Sequence, residues 1–225
     1  MTLLSSAAVV LVIALSSVLF ASLGALLLNA SPTTFPDAAE RWLVCFATGV
    51  VAFELLVTLG ALYPSARLGV RAAVLTAAAL ALPRARETAD TIRAIFANLQ
   101  RRPRTERILA AALAFVLTLQ AFAAMAPLTG SDALHYHFVT PALTLQNGLR
   151  PEWFLQHSFL TGLSHQLILA GLALGSEKLA MGWIFLGGAA TALATIYLAS
   201  KWAKGWLPFA AGLLFQTSGW LFFSS

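Results

Sequence analysis

The sequence predicts an all-α protein: a polytopic transmembrane helix bundle of about six or seven spans, with an external loop containing amphipathic juxtamembrane helices. Three observations predict it. Of 225 residues, 59% are hydrophobic and only 10% are charged, whereas a soluble domain carries roughly 25% charged residues. Mean hydropathy is +0.81. The apolar residues also fall in blocks of about 20, the length that crosses ~30 Å of hydrocarbon at ~1.5 Å per residue.

The first block covers residues 3–28. No basic residue precedes it, its apolar run is too long for a signal-peptide core, and Ala30, Ser31 and Pro32 make a poor cleavage site. It therefore reads as a membrane helix. A polar link, 29–41, carries Pro32, Pro36, Asp37, Glu40 and Arg41. The second block, 42–63, opens on Trp42 and closes on Tyr63, rings that favour the membrane interface. Glu54 sits in its middle. A carboxylate in hydrocarbon costs at least ~2–3 kcal/mol, so Glu54 is expected to face a protein interior, paired or protonated, as a helix-packing contact rather than a substrate ligand. Cys45 is the one cysteine and makes no internal disulfide. Residues 68–83 are Ala-rich and short for a span. Small side chains allow close helix approach, which suggests a tilted or shielded crossing.

In 84–107, Ile92, Ile95, Phe96 and Leu99 recur at helical spacing among Arg84, Arg86, Arg93, Arg101 and Arg102. That pattern describes an amphipathic helix lying on the membrane surface. Seven of the fourteen basic residues fall between Arg84 and Arg107. Wedged between apolar segments, they read as a cytoplasmic stretch beside anionic head groups, and the net charge of +5 is no sign of a nucleic-acid partner. The span at 108–126 then runs outward and places 127–160 on the external face of the membrane. Counting back through three crossings puts the N-terminus outside too; without a crossing at 68–83 it moves inside, and 127–160 stays external.

Three further apolar stretches follow, at 158–175, 179–200 and 206–225. If all cross, Lys201 and Lys204 fall outside, against the positive-inside tendency. If 158–175 stays external as a half-helix or re-entrant piece, both return to the cytoplasm. His165 and Gln166 suit burial in protein, so the second arrangement is preferred. The chain divides into N-terminal helices with their basic segment, 1–107, and a second module, 108–225, that begins with the external loop. Its last helix runs flush to Ser225, as expected of a portion of a longer protein.

The loop at 127–160 is the longest stretch that is no simple span. It holds Asp132, His135, Tyr136, His137, Pro141, Pro151, Glu152, Trp153 and His157, and loops of this size usually carry function. Ser131 or Asp132 can cap a helix through 134–146. On it Leu134, Phe138, Pro141, Ala142 and Leu145 share a face, and Asp132 and Tyr136, four apart, lie close together. Gly148 ends that helix. His135 and His137 with His157, His165 and Asp132 supply the donor types of a zinc site. Side chains two apart on a helix diverge by about 200°, which is poor chelating geometry. Hydrogen bonding at the interface is the preferred role for the histidines, with a divalent metal as the open alternative. No phosphate-binding glycine loop, dinucleotide fingerprint, nucleophile elbow or paired-cysteine pattern is present. Gly182, Gly187 and Gly188 read as helix packing.

Asp132, Leu134, Tyr136, His137, Pro141 and Gly148, following a helix exit, resemble the first external loop of GT-C-fold integral-membrane glycosyltransferases. The similarity is to the protein-mannosyltransferase and aminoarabinose-transferase-like group in particular. Ser158, Phe159, Leu163, Leu167 and Leu172, then Glu177 to Ala180, extend it, so that it covers about residues 120–225. The resemblance implies sugar transfer from a polyprenyl-phosphate donor to an acceptor on the external face, with inversion. Asp132 would be the catalytic base or orient the acceptor. Tyr136, His135, His137 and His165 would line the substrate site. The resemblance also implies a second acidic loop residue beyond the last span of this chain.

Overall fold

The computed structural model describes residues 6–125, 138–149 and 163–223. Among these it contains helices and no strand: α1 Ser6–Leu27, α2 Ala38–Ala61, α3 Ala66–Ala81, α4 Ala85–Gln100, α5 Arg104–Ala124, α6 Val139–Asn147, α7 Leu163–Ala173, α8 Glu177–Ala199 and α9 Leu207–Phe223. Five helical stretches are long and apolar enough to cross a membrane: Val10–Leu27, Ala38–Ala61, Ala66–Gln100, Arg104–Ala124 and Glu177–Ala199. The difference from the expected six or seven arises late in the chain. There α7 and α9 adjoin residues outside the described part; within it α7 covers 11 residues, about 16 Å, and α9 covers 17, about 25 Å, against ~30 Å of hydrocarbon.

Local chemistry sets several helix starts. Asp37 caps α2, its Oδ1 accepting from the backbone N–H of Ala39 at 2.8 Å and of Glu40 at 3.2 Å. Ser176 caps α8 by accepting from Leu179 N–H at 3.1 Å. Pro103 occupies the N-cap of α5, so the predicted span at 108–126 begins four residues early and takes Arg104 and Arg107 with it. A proline has no N–H to leave unsatisfied at a helix entrance.

The core is built on glycines and aromatic rings. Gly24 of α1 and Gly49 of α2 lie where a Cβ on either would overlap a backbone carbonyl of the other helix. Such close backbone approach supplies the van der Waals packing that associates helices in lipid, where apolar burial gives little drive. Beside this contact Phe20, Phe53 and Trp183 meet edge to face, with centroids 5.1–6.2 Å apart. The Trp183 indole donates to Ser16 Oγ at 2.7 Å, tying α8 to α1.

Gly60 and Gly69 repeat the close contact between α2 and α3. Ala66, Val70, Ala73, Ala77 and Ala81 are all buried, so the Ala-rich segment presents its small face to the bundle along its whole length. A 3₁₀ turn at Leu82–Arg84 carries α3 directly into α4, and the expected break between a crossing and a separate surface helix is a turn within one helical path. The face of α4 that meets the bundle is polar. Ser22 Oγ donates to Thr88 Oγ1 at 2.9 Å, and Arg41 Nη2 to Thr91 Oγ1 at 2.9 Å. Of the apolar row, Phe96 is 62% exposed, and Ile92, Ile95 and Leu99 are half-buried.

These pairings sort the molecule into two ends. Arg84 donates to Asn29 Oδ1 at 2.8 Å, which joins the end of α1 to the start of α4. Tyr197, near the end of α8, donates to Glu40 at the start of α2 at 2.5 Å, and Lys201 stands 4.3 Å over the Tyr197 ring. Arg41, the seven arginines from Arg84 to Arg107, Lys201 and Lys204 therefore share one end, ten of the fourteen basic residues. This is the grouping that the preferred arrangement of the lysines expects.

Candidate functional site

The opposite end is capped by the two short helices. The described part of the expected 134–146 helix is α6, which begins at Val139 with Phe138 as its N-cap and no side-chain capping bond. Pro141 explains the start. In a helix beginning at residue 134 it would clash with the carbonyl four residues back and remove an interior hydrogen bond, whereas in the first turn it is tolerated. The predicted stop holds: Gly148 has φ +81°, and its N–H bonds the Thr144 carbonyl at 2.9 Å.

Behind α6 lies α7, and Phe138 packs on Ile168 of α7 and Ala180 of α8. Leu167, Ile168, Leu169, Ala170 and Ala173 are all buried, covering every side of α7, so the helix sits within protein. Its end is held by Arg71 of α3, whose Nε donates to the Ala173 carbonyl at 2.7 Å. A guanidinium on a helix C-terminus satisfies a free carbonyl and complements the dipole. No local signal in the sequence pairs residues 102 apart. Arg71→Met is expected to weaken α7 by about 1.5–3 kcal/mol, the range for a hydrogen bond to a charged group, seen as faster amide exchange confined to α7 and the adjoining α6.

His165 is the one predicted site residue within the described part, and it is 7% exposed at the start of α7. Asp132, His135, Tyr136 and His137 lie outside the described residues, as do Ser131, Leu134 and His157. The chain enters that stretch after Met125 at the end of α5 and leaves it on Phe138, against α7 and α8. Near His165, the Gln166 Oε1 and Thr140 Oγ1 atoms are enclosed without a hydrogen-bond partner among the described residues. The cap is apolar in its packing and encloses these polar atoms. Among the described residues no group of three His, Cys, Asp or Glu stands together to hold a metal.

Glu54, in the middle of α2, is 4% exposed. Its burial is as expected, and its Oε2 has no hydrogen-bond partner among the described residues.

No protein-family model, curated protein or solved structure matches the chain.

Proposed function

We propose that the chain is a membrane glycosyltransferase module that transfers a sugar from a polyprenyl-phosphate donor to an acceptor on the external face of a bacterial inner membrane, with inversion. One observation carries the reading. Phe138, the first described residue after Asp132, Tyr136 and His137, packs on the α6–α7 cap, at the end of the bundle opposite ten of the fourteen basic residues. The positive-inside tendency makes the basic end cytoplasmic and the capped end external, where lipid-linked sugars of this kind are used.

In this reading Asp132 takes the proton of the acceptor hydroxyl as its oxygen bonds the anomeric carbon. The bond from that carbon to the phosphate oxygen breaks, and its electron pair leaves on the phosphate. Charge developing there calls for hydrogen-bond donors, which His135, Tyr136, His137 and His165 supply. The bilayer holds the donor lipid; the reading leaves sugar and acceptor unspecified. The test is sugar transfer by the full-length protein from a polyprenyl-phosphate donor, compared with Asp132→Asn.

A second reading, solute transport or lipid handling without covalent chemistry, draws on Glu54. A buried carboxyl within a span and without a polar partner is the usual mark of an ion or proton pathway. The variants separate the two: loss of flux across vesicles in Glu54→Gln, with Asp132→Asn silent, favours transport. Loss of transfer in Asp132→Asn with Glu54→Gln active favours the transferase.

A further inference from the structure

At the basic end, α1, α2 and α4 surround a small pocket of about 10 Å³, room for a single water-sized atom, with its mouth open to the outside. Ala21, Ala25 and Ala30 form its apolar wall, and Arg41, Trp42 and Thr91 its polar edge. Two N–H donors here are enclosed and unused, the Nε of Arg41 and the Nε1 of Trp42. They come from adjacent residues and line one pocket.

The rest of the polar edge is already engaged. Arg41 donates from Nη2 to Thr91 and from Nη1 to the Phe35 carbonyl at 3.5 Å. Thr91 gives its own proton to the Glu87 carbonyl at 2.9 Å. What the pocket lacks is an acceptor for the two remaining N–H groups. Buried polar groups left unpaired are costly, and the Arg41 charge adds a preference for an anion. No carboxylate forms an ion pair with Arg41 among the described residues. Glu87 also lines the pocket, but its carboxylate is bound to Arg84 at 2.8 Å, which offsets its charge toward a guest. A water oxygen would satisfy the two donors and leave the guanidinium without a counter-ion.

The location narrows the anion. Trp42 opens the second span, its ring stacked on Phe46 at 4.9 Å, and amphipathic rings at a span's end mark the head-group level. Phosphate groups of anionic lipids lie at that level. Guanidinium N–H groups favour phosphate oxygens in forked, charge-assisted bonds.

We propose that Arg41 and Trp42 form a phosphate-binding site at the basic end of the bundle, one phosphate oxygen accepting from both N–H groups and the remainder of the group filling the open mouth. The phosphate is that of an anionic lipid head group. The site is independent of the sugar-transfer reading, since it lies at the other end of the molecule.

The experiment uses the full chain in uncharged detergent, with bound ligand counted by native mass spectrometry. The probes are phosphatidylglycerol, inorganic phosphate and diacylglycerol. Trp42→Phe keeps the ring and its stacking and removes one N–H. Arg41→Lys keeps the charge and removes the fork. Phosphatidylglycerol affinity is expected to fall about threefold or more in Trp42→Phe and about tenfold in Arg41→Lys, the scale of one neutral and one charge-assisted bond. Inorganic phosphate at millimolar concentration that displaces the lipid supports the site and assigns it to the free ion; failure to displace it supports the lipid. Three results overturn the proposal: unchanged affinity in both variants, diacylglycerol bound as tightly as phosphatidylglycerol, or an equal loss in Arg93→Gln, an exposed arginine that does not line the pocket. Melting of Trp42→Phe at the wild-type temperature shows that the loss is not one of folding.

Discussion

Gly49→Leu is expected to destabilise the bundle by about 3 kcal/mol or more, at or above the upper end of the range for overpacked sites. The obstacle is what sets the size of the effect. A Cβ on Gly49 runs into the backbone carbonyl of Phe20, and one on Gly24 into that of Cys45. A crowded side chain can change rotamer, but a helix backbone cannot, so α1 and α2 must separate. That separation also opens the Phe20, Phe53 and Trp183 cluster. Gly187 of α8 is the control, because nothing lies within 4 Å of a Cβ built there. Gly187→Leu is expected to be neutral or slightly stabilising, since glycine is a poor helix former by about 1 kcal/mol. Thermal unfolding of both variants in one detergent decides the matter. Equal losses would show that the glycine contact is not what holds the helices together.

Asp132→Asn is expected to lower sugar transfer by about 10²–10⁴-fold, the usual contribution of a general base. Asparagine is nearly the same shape as aspartate, but it takes no proton. The substitution therefore removes the proposed chemical role with little change in size. A transfer rate equal to wild type would overturn the assignment of Asp132 as the base. Asp132→Glu, which restores the carboxylate on a longer arm, is expected to recover part of the rate.

The spans were legible because apolar length is a one-dimensional property. The burial of Glu54 was legible for a related reason, that hydrocarbon admits no other place for it. Pairings between helices were not. α1 is apolar on all sides, so nothing in its periodicity says that Ser22 meets Thr88 or that Ser16 meets Trp183. Those contacts depend on which helices become neighbours, as does the bond from Arg71 to Ala173. The start of α6 was legible in principle, since Pro141 argues against a helix that begins at 134. The capping residues Ser131 and Asp132 point the other way. Of the site, the sequence marked residue types and spacing, and the structure adds where His165 stands.

The grouping of charge also has an electrical consequence. The end bearing ten basic residues carries five acidic ones, Asp37, Glu40, Glu87, Asp90 and Glu106. Apart from Glu54 in mid-span, the remaining charges, Arg67, Arg71, Arg150 and Lys178 against Asp132, Glu152 and Glu177, come to +1; moving one elementary charge through a transmembrane voltage of 100 mV involves about 2.3 kcal/mol, so exchanging the two ends would involve roughly 9 kcal/mol per 100 mV. That is comparable with the whole folding free energy of an ordinary domain, about 5–15 kcal/mol. An energised membrane thus works on the chain as on an oriented dipole and makes inversion after insertion energetically inaccessible.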